Sequence, residues 1–403
     1  MQVPRWMGKT LDGRAKAAWS VLLIVLGAAE FVSGQSMRFR HHWIDRNLPG
    51  SGWGQTAAAD LDGDGRPELI MGRSRGEIRY YRMVTPDQWV MGELGEQSPS
   101  EVGGAVLDVD GDGWNDFVTG GAWYRNPGKG LTRRFQRVPF DPQLRSVHDV
   151  VIADLDGDGR PDVLTMSDKN DVRWYRISPD PRQPWQHHRI GQSVHAGLAV
   201  GDLDGDGDPD VVRSNLWFEN ADGRAEEWLV RENIPFGNPN PPFPLATRCR
   251  VLDMDGDGDN DLVMTENEIR GGRIAWLENA DGRGESWRRH ELPQSDSATR
   301  GAYHSLIVAD FDGDGDADVF SCEMEGIAGE KPPRWFIWEN VDGAGGRFVE
   351  HVILDAHLGG HEAVAADFDG DGDLDIASKL WRPRRDNANG GRNHADFLEN
   401  LLR

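Results

Sequence analysis

At 403 residues the chain has room for two or three ordinary domains, and its composition is lopsided: 50 glycines, 16 tryptophans and a formal charge of −24. No basic stripe offsets that charge, which excludes nucleic acid as a partner, and the abundance of Gly and Asp favours short strands and tight turns over helices. Two cysteines, Cys249 and Cys322, exclude a disulfide framework and leave one bridge or two buried thiols open.

The N-terminus carries Arg5, Lys9, Arg14 and Lys16 ahead of a charge-free apolar run from Ala17 to Ala29, followed by the small residues Ser33 and Gly34. A membrane-spanning helix needs roughly 20 apolar residues, more than this run supplies. The reading is a signal peptide over residues 1–34, cleaved near Gly34, with a retained anchor as the alternative. No cysteine stands near the cleavage region, which argues against a lipid anchor. The expectation is a secreted or periplasmic protein with no membrane span after processing and a single domain over residues 35–403.

From residue 60 onward one pattern, D-x-D-G-D-G-x-x-[DE], occurs seven times. Its acidic positions are Asp60, Asp62, Asp64 and Glu68 in the first copy and Asp108, Asp110, Asp112 and Asp116 in the second. The third and fourth copies hold Asp154, Asp156, Asp158 and Asp162, then Asp202, Asp204, Asp206 and Asp210. The fifth holds Asp253, Asp255, Asp257 and Asp261. The sixth and seventh hold Asp310, Asp312, Asp314 and Asp318, then Asp367, Asp369, Asp371 and Asp375. Four carboxylates crowded into one tight turn need a cation to neutralise them, and two glycines allow the turn to wrap one centre. Hard oxygen ligands in flexible geometry point to Ca2+, about seven sites in all. Extracellular calcium is abundant enough to fill even weak sites of this kind.

The copies start 48, 46, 48, 51, 57 and 57 residues apart, a period that indicates propeller blades. Val150-Val-Ile-Ala153 enters one copy and Val163-Leu-Thr-Met166 leaves it, so each copy reads as a hairpin whose turn is the acidic loop. A third strand follows at Trp123, Trp174, Trp217, Trp276, Trp338 and Phe397, most of them opening a Trp-x-Glu-Asn-like segment. A fourth strand begins near Phe135, Trp185, Trp228, Trp287 and Phe348. The chain stops at a third strand, and the missing fourth appears before the first copy: Phe39-Arg-His-His-Trp-Ile44 matches Trp185-Gln-His-His-Arg-Ile190. The predicted fold is all-β, a seven-bladed β-propeller of four-stranded blades, closed by an N-terminal strand that completes the last blade.

With the loop motif repeated seven times, residues 38–403 resemble the FG-GAP/VCBS class of calcium-loop propellers. The resemblance implies the fold and calcium. That class contains both adhesion modules and enzymes, so function does not follow from it.

Candidate chemistry lies away from the acidic loops. His148, His304 and His361 stand six residues before their motifs and His195 seven before, at the starts of first strands. Ring geometry aims these four imidazoles at one end of the channel. The loops between second and third strands share that face and carry Glu266, Glu268, Glu323, Glu325, Lys379, Trp381 and Arg382. Imidazoles with a carboxylate suit Zn2+ or another divalent transition metal, which polarises a carbonyl and leaves a Glu or His as base. Trp53 and Trp381 are candidates for stacking on a sugar. By contrast His42, His188, His290 and His351 recur on the outer strand and read as surface groups.

The stretches Ser321-Cys-Glu-Met-Glu-Gly326, Gly359-Gly-His-Glu-Ala363 and Asn387-Ala-Asn-Gly-Gly-Arg-Asn-His394 resemble the propeller part of fungal aldos-2-ulose dehydratases. That resemblance implies a metal on His148, His195, His304 and His361, and places Glu323 and Lys379 in the same pocket. It implies elimination of water from an oxidised sugar. The leading expectation is therefore a carbohydrate (keto-sugar or glycan) lyase or dehydratase, with Glu323, Lys379, Glu266 and Arg382 as candidate catalytic residues. The alternative is a non-catalytic module that binds a glycan, another small polar ligand or a protein, with calcium purely structural.

Overall fold

A computed structural model describes residues 37–131, 133–295, 300–326 and 332–402. The signal-peptide reading of residues 1–34 lies outside them. The described chain folds into seven four-stranded antiparallel sheets. Blades 1 to 6 cover residues 53–95, 104–139, 147–191, 198–231, 247–291 and 307–354. Blade 7 is built from His361–Ala366, Asp375–Lys379 and Ala395–Asn400, and the N-terminal strand Phe39–Asp45 adds itself as the fourth. That strand runs antiparallel to Ala395–Asn400, with Phe39 opposite Asn400 and His42 opposite Phe397. Closure of the ring from both ends of the chain removes the edge an open last blade would expose.

Strand alternation sends one face of each blade toward each neighbour, and the apolar side chains collect at the seams. One cluster joins Trp53, Leu69 and Tyr81 of blade 1 to Phe368, Ala377 and Phe397 of blade 7. Another joins Trp276 and Val263 of blade 5 to Val319 and Trp338 of blade 6. The repeated tryptophans are seam residues, and in blades 2, 3 and 5 the indole N–H also finds a partner in the next blade. Trp174 donates to the Ala225 carbonyl at 3.2 Å and Trp276 to the Gly345 carbonyl at 3.0 Å. Truncating such a ring to alanine costs about 3–5 kcal/mol.

The asparagine three residues after Trp123, Trp217, Trp276 and Phe397 works in the opposite direction. Asn126, Asn220, Asn279 and Asn400 each donate from Nδ2 to the second residue of the preceding blade's acidic loop: Leu61, Leu155, Leu203 and Phe311. Their backbone N–H groups bind the last aspartate of their own loop, as in Asn126 to Asp116 at 2.7 Å. Blades 2 and 5 thus reach forward with an indole and backward with an amide. Cys249 and Cys322 are both free and buried. Among the described residues no helix is long and apolar enough to cross a membrane.

Candidate functional site

The acidic loops join first to second strands, and the imidazoles sit at the opposite ends of the first strands. Gly63 and Gly65 adopt φ of 78° and 89°, which turns their N–H groups onto Asp60. Gly63 donates to Oδ1 at 2.7 Å and Gly65 to Oδ2 at 2.9 Å, and the same wrap recurs in the loops of blades 4 to 7. Ligand oxygens of Asp60, Asp62 and Glu68 lie within 4.8 Å of one another, as do those of Asp108, Asp110 and Asp116. Burial, reinforced by neighbouring loop carboxylates, raises Glu68, Asp116, Asp162, Asp210 and Asp261 to about 7 and Asp318 and Asp375 to about 8. Buried oxygens of Glu68, Asp110 and Asp312 have no hydrogen-bond partner among the described residues. Crowded, buried carboxylates with unused lone pairs fit a hard divalent cation.

At the other end the backbone departs from regular pairing where the site needs it. In a regular strand, consecutive side chains point to opposite faces. Pairing shifts between Val147 and Asp149, and again between His361 and Val364, where Glu362 takes φ of 56°. These bulges bring an acidic residue beside each histidine into the channel. Arg248, buried and projecting from blade 5, collects the first pair together with Glu362 of the second and His304. Its Nη1 lies 3.0 Å from Asp149 Oδ1 and 3.5 Å from His148 Nδ1; its Nη2 lies 3.3 Å from His304 Nδ1 and also binds Glu362.

The four imidazoles form one chain of rings. Centroids lie 4.4 Å apart for His195 and His148, 6.0 Å for His148 and His304, and 3.9 Å for His304 and His361. Phe243 stacks on His195 at 4.2 Å, and Trp381 lies 5.2 Å from His361. Glu268 bridges two rings, at 3.0 Å from His304 Nε2 and 3.7 Å from His195 Nε2.

Their surroundings divide them. Burial, aided by Arg248 and the neighbouring imidazoles, holds His148 well below the usual range. Burial, aided by His304 and Lys379, does the same to His361. Burial alone would lower His195 too, but the carboxylates of Asp168 and Glu268 outweigh it and raise His195 to about 9. At neutral pH a neutral imidazole, His148, thus sits beside a charged one, His195. His361 Nδ1 is buried without a partner among the described residues, and ligand atoms of His304, His361 and Glu362 lie within 4.8 Å of one another.

The other predicted residues are placed differently. Both carboxylate oxygens of Glu323 are held: Arg300 donates at 3.0 Å, Arg334 N at 2.9 Å and Gly301 N at 3.3 Å. Glu266 is clamped by Arg273 through Nε, Nη2 and its backbone N–H. The Lys379 ammonium is capped by the carbonyls of Gly54, His361 and Glu362 at 2.7–2.9 Å and by Thr56, which ties blade 7 to blade 1. Burial pushes that ammonium down to about 7. Arg382 is exposed, and its backbone N–H binds Glu325. Trp53 is fully buried in the seam between blades 7 and 1, so its ring is core and cannot meet a sugar.

The family described as FG-GAP-like repeat matches residues 108–165, 154–212, 253–321 and 326–378, more than half of the chain. The chain belongs to the FG-GAP-like repeat family. Two crystal structures of BBS1N in complex with ARL6DN, one soaked with mercury and one with lead, share the fold. Their TM-scores are 0.54 and 0.53 at 10% identity, covering 90% of this chain and 97% of theirs. At that identity the likeness is one of fold. No curated protein matches the sequence.

In this FG-GAP-like propeller, Asp149 and Glu362 are the site residues that motif reading passed over. Each directly follows a predicted histidine, and a period-two reading sends it to the opposite face. The outer-strand histidines are also less simple than surface groups. His290 and His351 bind Glu278 and Glu339 at 2.8 and 2.6 Å, and His42 binds Glu399 at 3.0 Å.

Proposed function

We propose that this propeller is an exported, calcium-stabilised protein whose channel mouth holds a divalent transition metal and acts on a keto-sugar or related glycan as a lyase or dehydratase. The observation that carries the reading is the convergence of His304, His361 and Glu362, with His361 Nδ1 left unpartnered in the interior. These three residues would hold the metal, with Glu362 shared between it and Arg248. Such a metal supplies Lewis-acid polarisation of a carbonyl.

The chain's own residues supply the rest. His148, kept neutral by burial, accepts a proton, and His195, kept charged by Asp168 and Glu268, donates one. Arg248, whose guanidinium is taken up by Asp149, Glu362 and the His304 carbonyl, fixes the geometry of the site and adds positive potential to it. Phe243 and Trp381 give a hydroxyl-rich ring two aromatic surfaces at the mouth. The apolar run at 17–29 supports export.

A second reading, a non-catalytic module binding a glycan or a protein on the same face, is favoured by one observation: Lys379, Glu323 and Glu266 are all spent on structural contacts. A protein partner is supported by BBS1N, whose structures are complexes with ARL6DN. The deciding experiment is element-resolved metal content of the protein purified in calcium without added zinc, against a His304→Ala/His361→Ala variant. Near-stoichiometric zinc, manganese or iron that vanishes in the variant supports the catalytic reading. Calcium alone in both sinks it and leaves the binding module.

A further inference from the structure

The seven acidic loops differ at two positions outside the four shared carboxylates. At the seventh position blades 1, 2 and 3 carry Arg66, Trp114 and Arg160, whereas blades 4 to 7 carry Asp208, Asp259, Asp316 and Asp373. At the third-strand position facing the loop, blades 1 to 3 carry Arg82, Arg125 and Arg176, whereas blades 4 to 7 carry Glu219, Glu278, Glu339 and Glu399. The two positions switch together, between the same two blades.

The structure shows what each set does. Arg125 binds Asp110 and Asp112 of its own loop, Arg176 binds Asp156, and Arg82 lies 3.9 Å from Asp62. A guanidinium thus already stands on the loop carboxylates of blades 1 to 3. In blade 4 no such cation reaches the loop from the third strand. Glu219, held by Arg231 at 2.7 Å, opens onto the same pocket as Asp204 and Asp206.

Three of the four seventh-position aspartates, Asp259, Asp316 and Asp373, carry buried oxygens without a partner among the described residues. Asp373 is 9% exposed and neither of its carboxylate oxygens has a hydrogen-bond partner among the described residues. One oxygen of Asp316 and one of Asp259 are likewise buried and unpartnered. The Asp316 carboxylate lies against that of Asp314, and the Asp373 carboxylate against that of Asp371; the backbone N–H groups of Asp316 and Asp373 reach Oδ1 of those neighbours at 3.2 Å. Desolvated carboxylates turned onto one another call for a cation.

We infer that the loops form two classes: blades 4 to 7 bind calcium tightly with the seventh-position aspartate contributing charge to the site, and blades 1 to 3 bind it weakly because arginine stands in for part of the cation. Ligand charge is a principal determinant of affinity in oxygen-lined calcium loops. The inference rests on the calcium part of the proposed function and adds its distribution around the ring.

The test is calcium titration calorimetry on the full chain after chelation, with terbium luminescence as a second reading of occupancy. The expected isotherm resolves four tight sites and up to three weaker ones, about tenfold or more apart. An Asp259→Asn/Asp316→Asn/Asp373→Asn variant should move three sites from the tight class to the weak one. Arg125→Gln should strengthen one weak site. Seven equivalent sites, or isotherms unchanged in both variants, overturn the inference while leaving calcium binding intact. No calcium uptake at all sinks the calcium reading together with it. If the triple variant fails to fold, Arg125→Gln alone still decides, because an unchanged weak class contradicts the arginine's assigned part.

Discussion

Arg248 of blade 5 donates to Asp149 of blade 3 at 3.0 Å, with blade 4 standing between them in the ring. The same guanidinium binds Glu362 of blade 7 and, through Nε, the His304 carbonyl at 3.1 Å. One side chain therefore holds four first-strand ends at a common centre. Removing it takes the cation from two partly buried carboxylates, Asp149 and Glu362.

Arg248→Met is expected to destabilise the fold by about 1–3 kcal/mol, the cost of leaving partly buried carboxylates without their cation. Arg248→Lys keeps the charge but loses the fork, so its loss should be intermediate. Urea denaturation of the three proteins checks the order; wild-type stability in the methionine variant would contradict it.

Calcium removal should lower the melting temperature sharply, since a ligand held only by the folded state adds about 2.7 kcal/mol per site at one hundred times its Kd. Scanning calorimetry in chelator and in millimolar calcium measures the difference. An identical melt in both would end the calcium reading of the loops.

Glu325 supplies a pH signature. Its side chain is buried, Oε1 accepts from Arg382 N at 2.9 Å, and Oε2 has no partner among the described residues. Burial raises the carboxyl from 4.5 to about 8. A folded-state pKa above the unfolded one contributes stability that is full below 4.5 and is lost as pH rises through 8. Glu325→Gln should flatten the stability profile across that window and stabilise the protein above it by several kcal/mol. The check is chemical denaturation at pH 5 and pH 9, and parallel profiles for the two proteins would refute it.

Deleting the strand Phe39–Asp45 should open blade 7 and expose the edge of Ala395–Asn400. The expected result is a lower, broader melt and concentration-dependent aggregation by light scattering. A truncated chain that melts like wild type would show that closure contributes little.

Asn279→Ala tests the backward amide. It removes donation to the Leu203 carbonyl at 2.8 Å and to the Asn260 carbonyl at 3.2 Å, and leaves buried acceptors behind. A loss of about 1–3 kcal/mol is expected in urea unfolding. An effect within error would refute a stabilising role for the repeated amide.

The fold was legible because repetition multiplies weak signals: seven copies of one turn, with the HisHis pairs at 41–42 and 187–188 in matching strands, show which strand closes the ring. The site was legible only in part. His148, His304 and His361 share one offset from their loops, and topology brings them together. Asp149 and Glu362 were hidden because a bulge overrides strand alternation, and no residue type announces a bulge. Glu323 and Glu266 shared the loops that face the site, but Arg300 and Arg273, nearby in sequence, took their charges. Spacing reports which face a residue occupies; it does not report which neighbour reaches it first.

The pairing of Phe39–Asp45 with Ala395–Asn400 spans almost the whole chain: Arg40 meets Glu399 across 359 positions. The described strand earliest in the sequence is thus the last to find its place. During synthesis it must wait, unpaired, while six blades form behind it. A pairing of such sequence separation closes slowly. The waiting strand carries Arg40, His41 and His42 between Phe39 and the Trp43–Ile44 pair, which limits premature pairing with another nascent chain. Permuting the chain to begin at blade 1 would remove the delay and leave the finished ring unchanged.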